Sequence, residues 1–366
     1  MERLITLDEV ASYGNLLIAH ANAKRKRSKF KAVVRVEDNK EVLLMDLVKL
    51  LRSGEYRTSE YTFKVISDSG KERVIAKLPY YPYRIVHWAF MMYLEPEFMK
   101  RYSSRSHASI KGRGIHSALY QVREMLLRYP EKTKYCFKMD VKKFFWNIDH
   151  DILKERLRRY PLDESCLFYL DELIDSFPRM DSVISGITVS RDRGVPIGNY
   201  PSQFLANDFL TDLDKLLERL GILHCRYMDD IVVFADTSEN AHKYRNIIFD
   251  ILRYELRLDV KDNWQVFPVA VRGVDLVGYR IYPDRVLYRK SDFLRFRRKM
   301  GKAYKHALQY GKISSLDEAR INSYAGWLKY CTPKVRRKLY YTYIDPVLAF
   351  GSWRDRMKIK RIIGVE

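Results

Sequence analysis

What the chain lacks narrows its class first. Its 366 residues hold four cysteines, Cys136, Cys166, Cys225 and Cys331, with no C-x-x-C pair among them. That scatter excludes a disulfide scaffold or a zinc ribbon and suits a reducing cytoplasm. No apolar run approaches the ~18 residues of a membrane span, so no membrane partner is expected. The opening MERLITLDEV carries acids where a secretory leader needs basic residues before an apolar stretch. Internal repeats and low-complexity tracts are missing too. Aromatic residues are not scarce: they make up 13%, within 47% hydrophobic residues, which excludes a disordered chain. The length suits two or three compact units.

Negative charge is the scarce sign. Lys plus Arg number 67 against 46 Asp plus Glu, a net +21. Residues 286–366 carry 20 Lys/Arg against 6 Asp/Glu, a net +14. A block of that charge favours a polyanion, most simply a nucleic-acid backbone. Its basic residues are interleaved with Tyr, Trp and Phe, which fits a folded region better than a membrane-surface tail.

Residues 1–60 read as helical and basic, with the run Lys24-Arg25-Lys26-Arg27. Two β-rich runs, 61–66 and 73–78, flank the turn 67–71 and read as a hairpin. A helix over 84–94 is expected to stop before Pro96. A strand is expected at 136–141, and Asp149 can cap a helix carrying Ile152, Leu153 and Leu157. Apolar residues at 205, 209, 213, 216 and 220 follow helical spacing. Strands at 224–228 and 231–235 enclose Asp229-Asp230, and a helix starts near Thr237. Segments 274–281 and 285–288 read as a hairpin, and the chain from about Ser291 as basic helix. This order suggests an α+β unit, a small sheet covered by helices on one face.

The carboxylates point to chemistry. Arg226-Tyr227-Met228-Asp229-Asp230 sits between two apolar strand segments. Adjacent carboxylates repel, and a hairpin tip with a divalent cation relieves that. An Asp-Asp pair alone is equally an ordinary polar turn. A second apolar strand, however, ends at Asp140, and neighbouring strands lie ~4.8 Å apart. Three carboxylates at one sheet edge would suit two Mg²⁺ ions, with Mn²⁺ as a substitute. Such a pair clamps the attacking and leaving oxygens of a phosphoryl transfer.

Tyr227-Met228-Asp229-Asp230 resembles the catalytic signature of reverse transcriptases. Residues 137–153, FKMDVKKFFWNIDHDIL, resemble their first catalytic motif, 194–203, GVPIGNYPSQ, the next, and 276–281, LVGYRI, the primer-grip hairpin. The resemblance covers roughly 60–340 and implies a right-hand polymerase of fingers, palm and thumb, with a small antiparallel palm sheet and a helical thumb. Residues 1–132 would form an N-terminal extension and fingers, 133–288 the palm with a fingers segment at about 161–200, and 289–366 the basic thumb. By resemblance, Asp140, Asp229, Asp230 and the Val141 carbonyl hold the metals, Asp140 and Asp229 foremost. Phe145 would gate against a ribose 2′-hydroxyl, while Phe144 is read as core. Lys64 and Arg73 would meet the triphosphate, near Ile197, Gly198 and Gln203. Tyr227, Met228, Gly278, Tyr279 (with Arg280) and Lys329 are candidate primer or template contacts. Lys77, Arg84, Lys111 and Arg113 are candidates for the template strand. Lys261 is a candidate proton donor to pyrophosphate, and Trp327 is read as core. Each basic side chain is otherwise a solvated surface residue.

Ile197 stands where most reverse transcriptases have Gln, and Ser202-Gln203 follows. That form is similar to the enzymes of diversity-generating retroelements, which copy a template-repeat RNA with errors opposite adenine. Low-fidelity cDNA synthesis from an RNA template, a DNA or RNA primer and dNTPs is the implied activity, in a bacterial or phage setting, with a small basic accessory protein as partner. The alternatives are a retron- or defence-type enzyme, an RNA polymerase or other nucleotidyltransferase on the same palm, and, in a different class, an inactive nucleic-acid-binding scaffold.

Overall fold

The computed structural model describes residues 3–68, 71–178, 180–184 and 186–365. The expected turn of the first hairpin, Ser69-Gly70, lies outside them.

In chain order the helices and strands begin with α1 (Leu7–Val10), α2 (Tyr13–Ala23), α3 (Lys31–Asp38), α4 (Lys40–Arg52), β1 (Thr62–Asp68), β2 (Lys71–Lys77), α5 (Ile85–Arg101), α6 (Ile115–Arg128), β3 (Tyr135–Asp140), α7 (Phe144–Asn147), α8 (His150–Leu157) and α9 (Glu164–Asp175). They continue with β4 (Ser182–Ile184), β5 (Ile187–Val189), α10 (Tyr200–Phe209), α11 (Thr211–Arg219), β6 (His224–Tyr227), β7 (Asp230–Ala235), α12 (Ser238–Asp250), β8 (Gln265–Pro268) and α13 (Val269–Arg272). The last part is β9 (Val274–Leu276), β10 (Tyr279–Ile281), β11 (Val286–Tyr288), α14 (Lys290–Tyr310), α15 (Ser315–Leu328), α16 (Pro333–Leu339), α17 (Asp345–Leu348) and α18 (Trp353–Ile363). The architecture is α+β: small antiparallel sheets among helices. No helix of the described residues is long and apolar enough to cross a membrane.

The chain divides into two compact units. One comprises Met1–Gly112, Met139–Gly221 and Tyr244–Trp264; the other comprises Arg113–Lys138, Ile222–Lys243 and Gln265–Glu366.

In the first unit, α5 packs on α2 and α10. It runs through Pro96 instead of stopping before it. A proline inside a helix removes one backbone bond and costs ~3 kcal/mol. Burial of Ile85, Val86, Ala89, Phe90, Met91, Leu94 and Phe98 outweighs that cost. The helix expected over 205–220 is two helices, α10 and α11, broken at Leu210 (φ −102°, ψ 0°). Thr211 Oγ1 donates to the Asn207 carbonyl beside the break. Apolar spacing continues across such a one-residue turn, so periodicity could not show it. Asp149 caps α8 as expected, its side chain accepting from Ile152 N. A small apolar cluster, Val74, Ala76, Trp146, Phe177, Ile184 and Val189, fixes the base of the β1–β2 hairpin.

In the second unit a four-stranded sheet has the order β6-β7-β3-β8. Strand alternation places Cys136, Cys225, Val232 and Phe234 together with Phe267 in a core that α6 covers through Ala118, Leu119 and Val122. All four cysteines are buried and none forms a disulfide among the described residues, and burial pushes the Cys136 thiol up to about 12. The expected hairpin 274–288 is a three-strand meander, β11-β10-β9, because Val277-Gly278 makes a second turn within the first run.

Candidate active site

Strands β6 and β7 form a tight hairpin in which Tyr227 faces Asp230, leaving Met228-Asp229 as the turn. Met228 has φ +60°. A two-residue hairpin turn asks for positive φ at its first central position, normally from Gly. Met228 there stores strain of roughly 1–3 kcal/mol. The fully buried Arg226 braces the tip, its Nη1 donating to the Met228 carbonyl at 3.1 Å. Asp229 and Asp230 are half-buried at the tip, and burial raises the Tyr227 hydroxyl pKa. Lys138 Nζ, from β3, lies 3.1 Å from Asp230 Oδ1 and 3.2 Å from Oδ2, and also donates to the Asp275 carbonyl.

Sequence reasoning missed Lys138 and Arg226. Lys138 was visible as a cation two residues before Asp140, on the same face of its strand. Arg226 carried only the weak signal of a charge inside an apolar run.

In the first unit, β3 ends at the half-exposed Asp140. Segment 259–261 runs beside 140–142: Lys261 N donates to the Asp140 carbonyl at 2.9 Å, and Lys142 N to the Asp259 carbonyl at 2.8 Å. Buried Val141 bridges Val260 between them. Lys261 Nζ thereby comes within 3.6 Å of Asp140 Oδ2. Lys143 (φ +46°) then turns the chain into α7. Phe144 is buried and Phe145 half-exposed, which matches a core residue beside a ring that can face a ligand. The Phe145 carbonyl accepts from Val195 N at 2.7 Å, tying the 194–199 loop to α7.

That loop also docks on β2. Ala76 N donates to the Ile197 carbonyl at 2.9 Å, and Asn199 Nδ2 to the Ala76 carbonyl at 3.4 Å. Gly198 has φ +107°, and a Cβ there would stand 2.6 Å from Ile75 Cγ2. Register Lys64↔Ile75 and Ile66↔Arg73 puts Lys64, Arg73 and Ile75 on one face of the hairpin. Gly198 thus abuts the face that carries both candidate phosphate contacts. Ile197 packs against the cluster of Val74, Ala76 and Trp146. Gln203 is exposed, and its Oε1 accepts from Ser109 Oγ at 2.6 Å.

In the second unit, Val277 (φ +46°) and Gly278 (φ +88°) make the β9–β10 turn. A Cβ on Gly278 would stand 3.0 Å from Trp327 Cζ3. Tyr279 is fully buried, its hydroxyl donating to the Trp327 carbonyl at 2.9 Å. Its side chain is thereby held inside the unit. The turn backbone and Arg280, whose Nη2 lies 3.7 Å from Asp275 Oδ2, are what this hairpin can offer a strand. Trp327 packs on the core as expected, and Lys329 is exposed at the end of α15.

Among the described residues, no three His, Cys, Asp or Glu side chains are gathered into a metal cluster. Asp140 belongs to the first unit, Asp229 and Asp230 to the second. Each of the three offers only carboxylate oxygens, and none is fully buried. That donor chemistry fits Mg²⁺ or Mn²⁺ and not a thiolate-preferring metal.

The family model "Reverse transcriptase (RNA-dependent DNA polymerase)" matches residues 64–281, more than half of the chain. Protein YkfC of Escherichia coli K12 is 22% identical over 240 residues, 56% of this chain and 62% of that protein. The retron Ec73 reverse transcriptase of Escherichia coli is 26% identical over 259 residues, 66% of this chain and 74% of that protein. A solved telomerase from Candida albicans, in complex with a fragment of telomeric RNA, superposes with a TM-score of 0.49 at 11% identity, covering 85% of this chain and 61% of that one.

Proposed function

The chain belongs to the reverse transcriptase family of RNA-dependent DNA polymerases, and from that premise we propose that it extends a primer on an RNA template with dNTPs. On this reading residues 1–132 are the N-terminal extension and fingers, 133–288 the palm with a fingers segment at about 161–200, and 289–366 the thumb. One observation carries the proposal. The β6–β7 hairpin presents Asp229 and Asp230 together at its tip, where Lys138 Nζ stands 3.1 Å from Asp230 Oδ1.

Asp140, Asp229, Asp230 and the Val141 carbonyl would hold two Mg²⁺ ions. When bound, the ions supply Lewis-acid activation of the primer 3′-hydroxyl and neutralise charge on the leaving pyrophosphate. Lys64 and Arg73 orient the triphosphate from one face of the hairpin, with the Gly198 backbone close beside them. Phe145 excludes a ribose 2′-hydroxyl from the nucleotide site, so deoxynucleotides are selected. Lys261 stands ready to give its proton to pyrophosphate. The β9–β10 turn and Lys329 steady the primer–template, and a small basic accessory protein would assist with nucleic acid.

The finer reading is a diversity-generating retroelement enzyme with errors at template adenines. The Ile197 side chain packs and cannot hydrogen-bond, where a Gln could add a contact worth ~1 kcal/mol net. A tenfold loss of discrimination needs only ~1.4 kcal/mol. Sequencing cDNA made on a defined RNA tests this: errors should cluster opposite adenine and fall severalfold in Ile197→Gln. An unchanged error spectrum in that variant removes the account. A retron-type enzyme is the second reading, favoured by the retron relative at 26% identity; accurate cDNA would select it.

A further inference from the structure

One peptide plane in the first unit, between Gly194 and Val195, is gripped from both ends. His150 Nε2 donates to its carbonyl, the Gly194 oxygen, at 2.7 Å, since a carbonyl can only accept. Its N–H, on Val195, donates to the Phe145 carbonyl at 2.7 Å. A peptide unit is planar and stiff, so tilting one end tilts the other. His150 therefore acts through that plane on the backbone of Phe145.

The local backbone shows why such a grip matters. Segment 148–150 pairs with 192–194: Gly194 N donates to the Ile148 carbonyl at 2.7 Å, and His150 N to the Asp192 carbonyl at 3.0 Å. That ladder fixes the chain as far as Gly194 N. Gly194 has φ +104°, and a Cβ there would stand 3.3 Å from the Trp146 carbonyl oxygen and 3.5 Å from that of Phe145. Glycine fits so close to α7, but it leaves the next peptide plane freer to rotate. The imidazole that opposes this rotation is itself set in place. His150 is 2% exposed, at the start of α8. Asp175, at the end of α9, brings its Oδ1 to 3.6 Å from His150 Nδ1. Lys154, one turn further along α8, holds that same carboxylate oxygen at 2.6 Å. A buried histidine can serve stability alone, but here its bond ends on the peptide that holds Phe145.

We propose that His150 is a positioning residue for Phe145. It fixes the Gly194–Val195 plane, the plane fixes the Phe145 backbone, and the ring is thereby held where it meets the sugar of the nucleotide. Asp175 orients the imidazole. The proposal rests on the reading of Phe145 as the gate against a ribose 2′-hydroxyl.

The test compares the full wild-type chain with His150→Asn, His150→Gln and Asp175→Asn. A Gln amide nitrogen reaches about where histidine Nε2 lies and keeps a donor for Gly194; an Asn amide stops short of it. Amide hydrogen exchange, followed by mass spectrometry, reads the peptide carrying Val195 and needs no catalysis. Competition between matched dNTP and rNTP during primer extension reads the gate. In His150→Asn, exchange at Val195 should speed about fivefold, as for the loss of one hydrogen bond. Peptides of α5 and α10 should keep wild-type protection. The preference for dNTP should fall severalfold. His150→Gln should restore both readouts. Asp175 is exposed, so Asp175→Asn should fold and show the same pattern at smaller size, and it carries the test if His150→Asn does not fold. Faster exchange in all peptides together, or equal losses in His150→Asn and His150→Gln, would make His150 a stability residue and overturn the proposal. A loosened Val195 with wild-type nucleotide choice would overturn the link to Phe145. Unchanged exchange at Val195 in both Asn variants would refute the clamp whether or not cDNA is made. A wild-type chain that makes no cDNA would refute the polymerase reading, and the gate role with it.

Discussion

Adding one methyl group at Gly198 tests how the loop beside the candidate triphosphate contacts is held. The residue has φ +107°, and its new Cβ would meet Ile75 Cγ2 at 2.6 Å. Carbon atoms rest at ~3.5–4.0 Å. The backbone strain should cost about 1–3 kcal/mol, and the overlap a similar amount before Ile75 yields. We expect Gly198→Ala to lose about 2–4 kcal/mol in total, with a Tm fall of roughly 5–10 °C. If the loop instead undocks from β2, breaking the Ala76 N to Ile197 O bond, the Tm fall shrinks and the KM for dNTP rises. Ile75→Ala removes Cγ2 and leaves Ile75 Cβ at 3.9 Å, an ordinary contact. The double variant should therefore recover the steric share, a coupling of about 1–2 kcal/mol. Wild-type Tm and KM in Gly198→Ala, or strict additivity in the double variant, would refute the reasoning.

Phe145→Ala should keep dNTP incorporation and raise ribonucleotide incorporation at least tenfold, as read by competition between matched dNTP and rNTP. Lys138→Met removes the ammonium from Asp230, so the Mg²⁺ concentration for half-maximal activity should fall, at a stability loss of about 1 kcal/mol; an unchanged Mg²⁺ titration would show that the lysine does not compete. In the second unit, Asp345 accepts from Arg356 Nε at 2.8 Å, Arg356 Nη2 at 2.6 Å and Tyr340 Oη at 2.8 Å. The Arg356 bonds, foremost, lower its pKa below the usual 3.8. Stability from this carboxylate is present above its unfolded pKa and is lost as pH falls through the lowered folded value. Asp345→Asn should cost about 1 kcal/mol at pH 7 and progressively less as pH falls below the usual carboxylate range, flattening the acid limb of a stability–pH curve.

The parts of the fold written in local pattern were legible from the sequence. The β1–β2 hairpin, the Asp149 cap and the strands around Asp229-Asp230 all follow from alternation and capping chemistry. Pro96 misled because a proline penalty is local, while the burial that overrides it comes from α2 and α10. The Leu210 break and the Val277-Gly278 turn were hidden because neither interrupts an apolar pattern. At the site, residue type marked the carboxylates, and the family resemblance alone singled out Phe145 and Gly198. The bracing by Arg226 and the Lys138–Asp230 pair depend on which strands become neighbours, and that is settled by packing. The burial of Tyr279, whose hydroxyl donates to the Trp327 carbonyl, likewise depends on packing.

Primer extension on a defined RNA template, with Mg²⁺ and dNTPs, tests the central claim most directly when the wild-type chain is run beside Asp140→Asn, Asp229→Asn and Asp230→Asn. Each change removes a charge and keeps the shape. Loss of a metal ligand worth ~4 kcal/mol in the transition state lowers the rate about a thousandfold. The account predicts template-dependent cDNA from the wild-type chain, a loss of that size in Asp140→Asn and Asp229→Asn, and a smaller one in Asp230→Asn. Synthesis within tenfold of wild type in Asp140→Asn or Asp229→Asn, or no synthesis from the wild-type chain, would contradict it.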